Sequence, residues 1–313
     1  MARKIIIDTD PGQDDAVAIL LALSSPEQIE TLGIVSVAGN VGLDRNTKNA
    51  LKVVELSGRP DVPVYAGCAR PMMRPLVTAE HVHGQTGLDG PDLPEPAIAA
   101  QPGHGVDFLI ETLRDHAPGT VTICALGPLT NIAMALVKAP DIASRIAEIV
   151  LMGGAYFEVG NITPAAEFNI YVDPEAAHTV FRSGAPITMM PLDVTHQMLG
   201  TPDRIAAFRA IGNRSGAAVA DMLGFSERFD LGKYGWAGAP LHDPCVTAWL
   251  IAPEIFSGRL CNVEIECASE LTRGMTVADY WHVTDRPRNA TFIRTGDADA
   301  FYALLVERLA RLP

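Results

Sequence analysis

Four aspartates, Asp8, Asp10, Asp14 and Asp15, crowd the amino-terminal stretch KIIIDTDPGQDDAVAIL. They follow an isoleucine run that reads as a buried strand, so negative charge gathers where the chain leaves the core. Two like charges about 4 Å apart repel by roughly 4 kcal/mol at an effective dielectric of about 20. The partial positive charge at a helix start offsets only about 0.3–1 kcal/mol of that for each acid. Protonation or a bound cation must supply the rest. A fifth acid, Asp243, precedes Pro244 in LHDPCVTAWL, at another loop-to-helix junction. Oxygen donors in excess, with no cysteine or paired histidine among them, favour a hard cation such as Ca²⁺ or Mg²⁺ over Zn²⁺. A single acid here would read as a helix cap; the whole DTDPGQDD string reads as a site.

Such acids need strands that end together. KIIID, ETLGIVSVAG, VPVYAG, TVTICAL, IAEIVLMGG and PITMMPLDV read as strands. Between them DDAVAILLALSS, LDRNTKNALKVVELSG, VDFLIETLRDHA, LTNIAMALVKAP and DPEAAHTVFRSG read as helices. The alternation predicts an α/β fold with an open, mostly parallel, Rossmann-like sheet and helices on both faces. In such sheets ligands collect beyond the carboxyl ends of the strands. Asp10 falls at one of those ends. The stretch from Cys68 to Gly103 is irregular, and from Thr201 to about Phe256 the chain reads as mostly helical. RLCNVEIEC and GMTVADYW predict a terminal hairpin, and DADAFYALLVERLARL a closing helix. No repeat or Ser/Gly linker marks a boundary, so residues 1–313 are expected to form one domain.

The composition excludes several partners. With 48% hydrophobic and 19% charged residues and a mean hydropathy of +0.17, a large core is expected. A net charge of -13 and a pI near 5.0 argue against nucleic acid or an anionic membrane surface. Cys68, Cys124, Cys245, Cys261 and Cys267 form no CxxC pair and read as reduced thiols. MARKIII enters a strand directly, without the apolar stretch of a signal peptide, and no run has bilayer-spanning length. The expectation is a cytoplasmic protein.

DTDPGQDD resembles the amino-terminal signature of the inosine-uridine preferring nucleoside hydrolases, usually written DTDPGxDD. VAGNVGLDRNTKNAL, HVHGQTGLDGPDLP, LGPLTNIA, IVLMGGAYFEVGNITPAAEFNIYVDPEAA, MPLDVTHQ and LHDPC resemble further blocks of that family, in family order. The resemblance implies the nucleoside hydrolase fold. It also implies Ca²⁺-dependent hydrolysis of the N-glycosidic bond of ribonucleosides to ribose and free base, in nucleoside salvage. It places the metal on the carboxylates of Asp10, Asp15 and Asp243 and the main-chain carbonyl of Leu126. Asp10 is then also the base that takes a proton from the attacking water. Nearby carboxylates would steady positive charge developing on the sugar. Ribose contacts are implied for Asp14, Asn40, Asn161, Glu167 and Asn169, with Met152 packing beside the sugar. If the backbone there is extended, Glu167 and Asn169 share one side.

The histidines divide. His242 resembles the leaving-group acid of part of the family, and His83 a position near the nucleobase; His81 and His196 read as structural. Tyr234 and Trp236, in LGKYGWAG, could wall the base. His242 leans towards the inosine-uridine type, with both nucleosides accepted; a pyrimidine-specific hydrolase is the alternative. A homodimer or homotetramer is implied. Two rival readings remain: a non-catalytic Ca²⁺-dependent nucleoside-binding protein, and a phosphohydrolase of the haloacid dehalogenase type, which IIIDTD also resembles. The second lacks a matching downstream lysine and acidic pair.

Overall fold

The computed structural model describes residues 2–313, with side chains throughout except at 229–231. The first strand, β1 (Arg3–Thr9), shows why the sheet is covered twice. Ile5 and Ile7 enter one apolar core while Ile6 enters the other, on the opposite face. After Pro11 and Gly12 the chain starts α1 (Gln13–Leu23), buried from Asp15 onward. Next come β2 (Ile29–Ser36), α2 (Leu43–Leu56) and β3 (Val64–Ala66). The irregular stretch contains one short helical turn, α3 (Glu80–His83). It is followed by α4 (Gly105–Asp115), β4 (Val121–Ala125), α5 (Thr130–Lys138) and β5 (Ile146–Met152). Two short helices, α6 (Phe168–Val172) and α7 (Pro174–Phe181), lead to β6 (Ile187–Met190) and α8 (Leu192–Thr195).

The later chain is mainly helical, as predicted. It holds β7 (Leu199–Gly200), α9 (Pro202–Ala210), α10 (Arg214–Tyr234), β8 (Ala239–Pro240) and α11 (Pro244–Ile251). Then β9 (Phe256–Ile265), β10 (Thr276–Asp279) and β11 (Ala290–Gly296) precede the closing α12 (Ala298–Leu309). No helix among the described residues is long and apolar enough to cross a membrane.

One sheet has the order β10-β9-β11-β6-β5-β4-β1-β2-β3. Its strands are parallel from β3 through β11, and antiparallel at β9 and β10. The mostly parallel α/β fold and the β9–β10 hairpin therefore stand. The chain winds outward from β1 in one direction through β2, then crosses back to β4 on the other side. That reversal opens a crevice beyond the carboxyl ends of β1 and β4.

Two local expectations are corrected and one strand was not foreseen. PITMMPLDV is not one strand: Pro191 ends the ladder and residues from Leu192 turn into α8. Glu167 and Asn169 do not share an extended stretch: Glu167 caps α6 with extended dihedrals, but Asn169 lies in the first turn of that helix. β11 carries no strong sequence signal, with only Ala290, Phe292 and Ile293 fully buried, yet it inserts between β6 and β9.

Candidate active site

Asp10 emerges from β1 fully buried between two loops. Its Oδ2 accepts from the Asn40 backbone N–H at 2.7 Å, and the Asn40 Nδ2 donates to the Asp10 carbonyl at 3.0 Å. Its Oδ1 is sealed from solvent with no hydrogen-bond partner among the described residues. A buried anionic oxygen left unpaired is costly. A Cβ at either Gly39 or Gly127 would overlap this carboxylate, so a larger residue at either position must displace it.

Asp15 sits in the first turn of α1. Its Oδ1 accepts from Thr9 Oγ1 at 2.5 Å and its Oδ2 from the Gly12 N–H at 3.0 Å. Asp243, at the start of α11, arrives from the far end of the chain, its helix tied to α1 by Thr247 Oγ1 donating to the Ala18 carbonyl at 3.1 Å. Carboxylate oxygens of Asp14, Asp15 and Asp243 lie within 4.8 Å of one another. This tight group contains Asp14, which the resemblance assigns to ribose, while Asp10 flanks it through its N–H to Asp15 Oδ1 at 3.3 Å. Asp14 is the only one of the four that is more than slightly exposed.

Without a counter-charge the acids hold protons strongly. Burial, then the neighbouring Asp15, pushes the Asp10 carboxyl well above its usual range; burial and Asp14 do the same for Asp243. Burial raises Asp14 to about 6. The converging carboxylates and the orphaned Asp10 oxygen fit an oxygen-seeking divalent cation. The Leu126 carbonyl, after β4, lies on the same cavity wall and accepts from Asn169 Nδ2 at 2.7 Å. Asp8 stands apart: its Oδ2 accepts from Asn131 Nδ2 at 2.8 Å, tying β1 to α5.

The sugar side is built by caps. Glu167 accepts from the N–H groups of Asn169, Ile170 and Gly154 at 2.8, 3.2 and 2.9 Å. Burial nonetheless raises it to about 7. Asn169 Nδ2 also donates to the Met152 carbonyl at 3.2 Å, and Asn161 Oδ1 accepts from the Phe168 N–H at 2.9 Å. Asp14, Asn40, Leu126, Met152, Asn161, Glu167, Asn169 and Asp243 all line one cavity with His83, His242 and Tyr234.

The remaining wall is aromatic. Tyr234 stacks on Trp236 with ring centroids 4.3 Å apart. Trp236 stands behind, edge-on to His196 at 4.7 Å, rather than on the cavity lining. His242 Nδ1 lies 2.7 Å from Thr195 Oγ1, and burial holds its ring down to about 3. His83 Nδ1 meets Gln13 Oε1 at 2.7 Å, and burial lowers that ring to about 4.

Sequence reasoning missed part of this wall. His81 and His196 line the cavity rather than only supporting it, as do Ser226 and Lys233. Gln13, at the variable position of the signature, orients His83. Only the polarity of these residues in otherwise apolar surroundings could have pointed to them.

Comparison with known proteins converges on one family. Residues 5–303 match the description "Inosine-uridine preferring nucleoside hydrolase". An uncharacterized protein of Schizosaccharomyces pombe is 57% identical over 310 residues, covering 99% of this chain and 100% of its own. The pyrimidine-specific ribonucleoside hydrolase RihA of Salmonella schwarzengrund is 49% identical, with 99% of each chain covered. A solved purine-preferring ribonucleoside hydrolase from Gardnerella vaginalis has a TM-score of 0.92 at 34% identity, covering 98% of each chain.

Proposed function

The chain belongs to the inosine-uridine preferring nucleoside hydrolase family and is a ribonucleoside hydrolase; on that premise we propose that it acts with Ca²⁺ on pyrimidine ribonucleosides. Uridine is the leading substrate, inosine a slower one, and the products are ribose and free base for salvage. The observation that carries the Ca²⁺ reading is the sealed, unpartnered Asp10 oxygen beside the three-acid group. The base preference is supported by 49% identity to a pyrimidine-specific relative, against 34% to a purine-preferring one.

Asp10, Asp15, Asp243 and the Leu126 carbonyl would hold the ion. When bound, it would keep these acids ionised, orient ribose hydroxyls and make a water more acidic. Asp10 takes the proton of the attacking water, its second oxygen held by the Asn40 N–H. Asp14, the acid open to the cavity, reaches ribose with Asn40, Asn161 and Asn169. Ionised acids close to the sugar steady the oxocarbenium-like charge as the C–N bond opens. His242 and His83 face the departing base, with Tyr234 against its plane.

Ribose release from uridine, cytidine, inosine, adenosine and guanosine, with Ca²⁺ and with a chelator, tests the reading. Uridine turnover that survives complete chelation would remove the ion from the proposal. Binding of nucleoside without ribose release would favour the non-catalytic alternative. Asp10→Ala is expected to lower kcat by about 10²–10⁴-fold, the usual share of a positioned base.

A further inference from the structure

The short helix α8 touches the base side of the cavity through a residue assigned no part in the chemistry so far. Thr195 is fully buried, and its hydroxyl lies 2.7 Å from His242 Nδ1. That is the one hydrogen bond this hydroxyl makes among the described residues. A hydroxyl has one proton to give, and a buried proton without an acceptor costs about 1–3 kcal/mol. If Nδ1 carried hydrogen, the buried Thr195 proton would face no acceptor among the described residues. The hydroxyl must therefore donate, and Nδ1 must accept. The imidazole proton is then confined to Nε2, on the side of the ring away from Thr195. Nε2 has no hydrogen-bond partner among the described residues, and the ring lines the cavity.

We propose that Thr195 is a positioning residue that locks His242 in the Nε2–H tautomer, so that the ring presents a hydrogen-bond donor to the departing base. This rests on the reading that places His242 against the leaving group. Uracil leaves with negative charge spread over its ring nitrogens and carbonyl oxygens. A fixed N–H donor stabilises that charge without any proton leaving the histidine. In the other tautomer the ring would present a lone pair to the same charge and oppose it. The threonine thus sets the sign of the contact.

Thr195→Val keeps the shape and removes the hydroxyl; Thr195→Ser keeps the hydroxyl. For Thr195→Val, kcat on uridine should fall by roughly 10–100-fold, within the span of one positioned donor. KM should stay nearly unchanged, and p-nitrophenyl riboside, whose leaving group needs no such donor, should lose far less. Thr195→Ser should retain most of the uridine rate. Imidazole ¹⁵N spectra of the full-length protein, with His242 assigned by its absence in His242→Gln, should show Nε2 protonated in the wild type. A mixture of tautomers is expected in Thr195→Val. Protonated Nδ1 in the wild type, or equal losses on both substrates in Thr195→Val, would overturn the proposal. If instead His242→Gln slows both substrates equally, the leaving-group reading itself fails, and the wild-type spectrum still decides the tautomer. That spectrum requires no variant at Thr195 to fold.

Discussion

A carboxylate wedged between Gly39 and Gly127 is held as much by missing side chains as by hydrogen bonds. Either glycine replaced by alanine would place a methyl group on Asp10 and turn it out of line. Gly127→Ala should therefore lower kcat/KM by at least about 10²-fold, a loss comparable with misplacing a catalytic group by about 1 Å. It should also weaken Ca²⁺ binding measured by calorimetry; a variant with unchanged affinity would show that the strand ends can relax. At this scale the sequence was informative where acids cluster, because charge after an apolar strand is costly and demands a reason. It was silent where a residue acts by being small. It was equally silent on Gln13, whose bonds to His83 and to the Asp89 carbonyl depend on a loop some seventy residues away in sequence.

Among the elements, α8 does more than its length suggests. Asp193, at its start, accepts from the N–H groups of Tyr156, Phe157 and Glu158 at 3.1, 2.7 and 3.2 Å. This pins the loop that continues to Asn161, while Thr195 and His196 on the same turn face the base side. Burial raises the Asp193 carboxyl, and the three N–H donors oppose that rise. Asp193→Ala releases the loop and leaves three donors without their shared acceptor. The expected result is a KM for uridine raised about 5–30-fold, from the loss of roughly 1–2 kcal/mol of ordering. A smaller change in kcat should accompany it; steady-state kinetics separates the two, and a kcat loss with unchanged KM would contradict a positioning role for the loop. Most parallel strands were legible because each carries a largely apolar run; β11, with Thr291, Arg294 and Thr295 in it, was not. The turn after Pro191 was not, because Leu192 and Val194 continue the apolar pattern while folding back as helix.

Across the whole molecule, the buried acids make stability depend on pH in a particular direction. Asp8, Asp14 and Glu167 are raised to about 7, 6 and 7 from ordinary values of 3.8, 3.8 and 4.5. Groups whose folded pKa is raised favour the folded state fully below the unfolded pKa and lose that contribution as pH climbs through the folded value. The ion-free protein should thus lose stability between about pH 4 and 7 as these groups ionise in buried surroundings whose desolvation outweighs their hydrogen bonds. Burial raises the proposed ion ligands Asp10, Asp15 and Asp243 as well, and added Ca²⁺ should offset that part of the loss by pairing their charges. The difference in Tm between Ca²⁺-loaded and chelated protein should widen from pH 5 to 8, reaching roughly 5–10 °C; a constant difference would mean the acids are already ionised without the ion. The order of strands in the sheet could not be read from local pattern, since β11 finds its place between β6 and β9 only after the chain returns from elsewhere.

The two contributions to the acid group lie far apart along the chain, Asp14 and Asp15 near one end and Asp243 towards the other, joined where Thr247 meets the Ala18 carbonyl. During synthesis the amino-terminal acids leave the ribosome long before their partner exists. A product ended before Asp243 carries the signature but lacks the third acid of the group. On the proposed Ca²⁺ reading, retention of the ion through gel filtration would distinguish chains that carry Asp243 from those that end before it, which would make the ion a marker of completed biosynthesis.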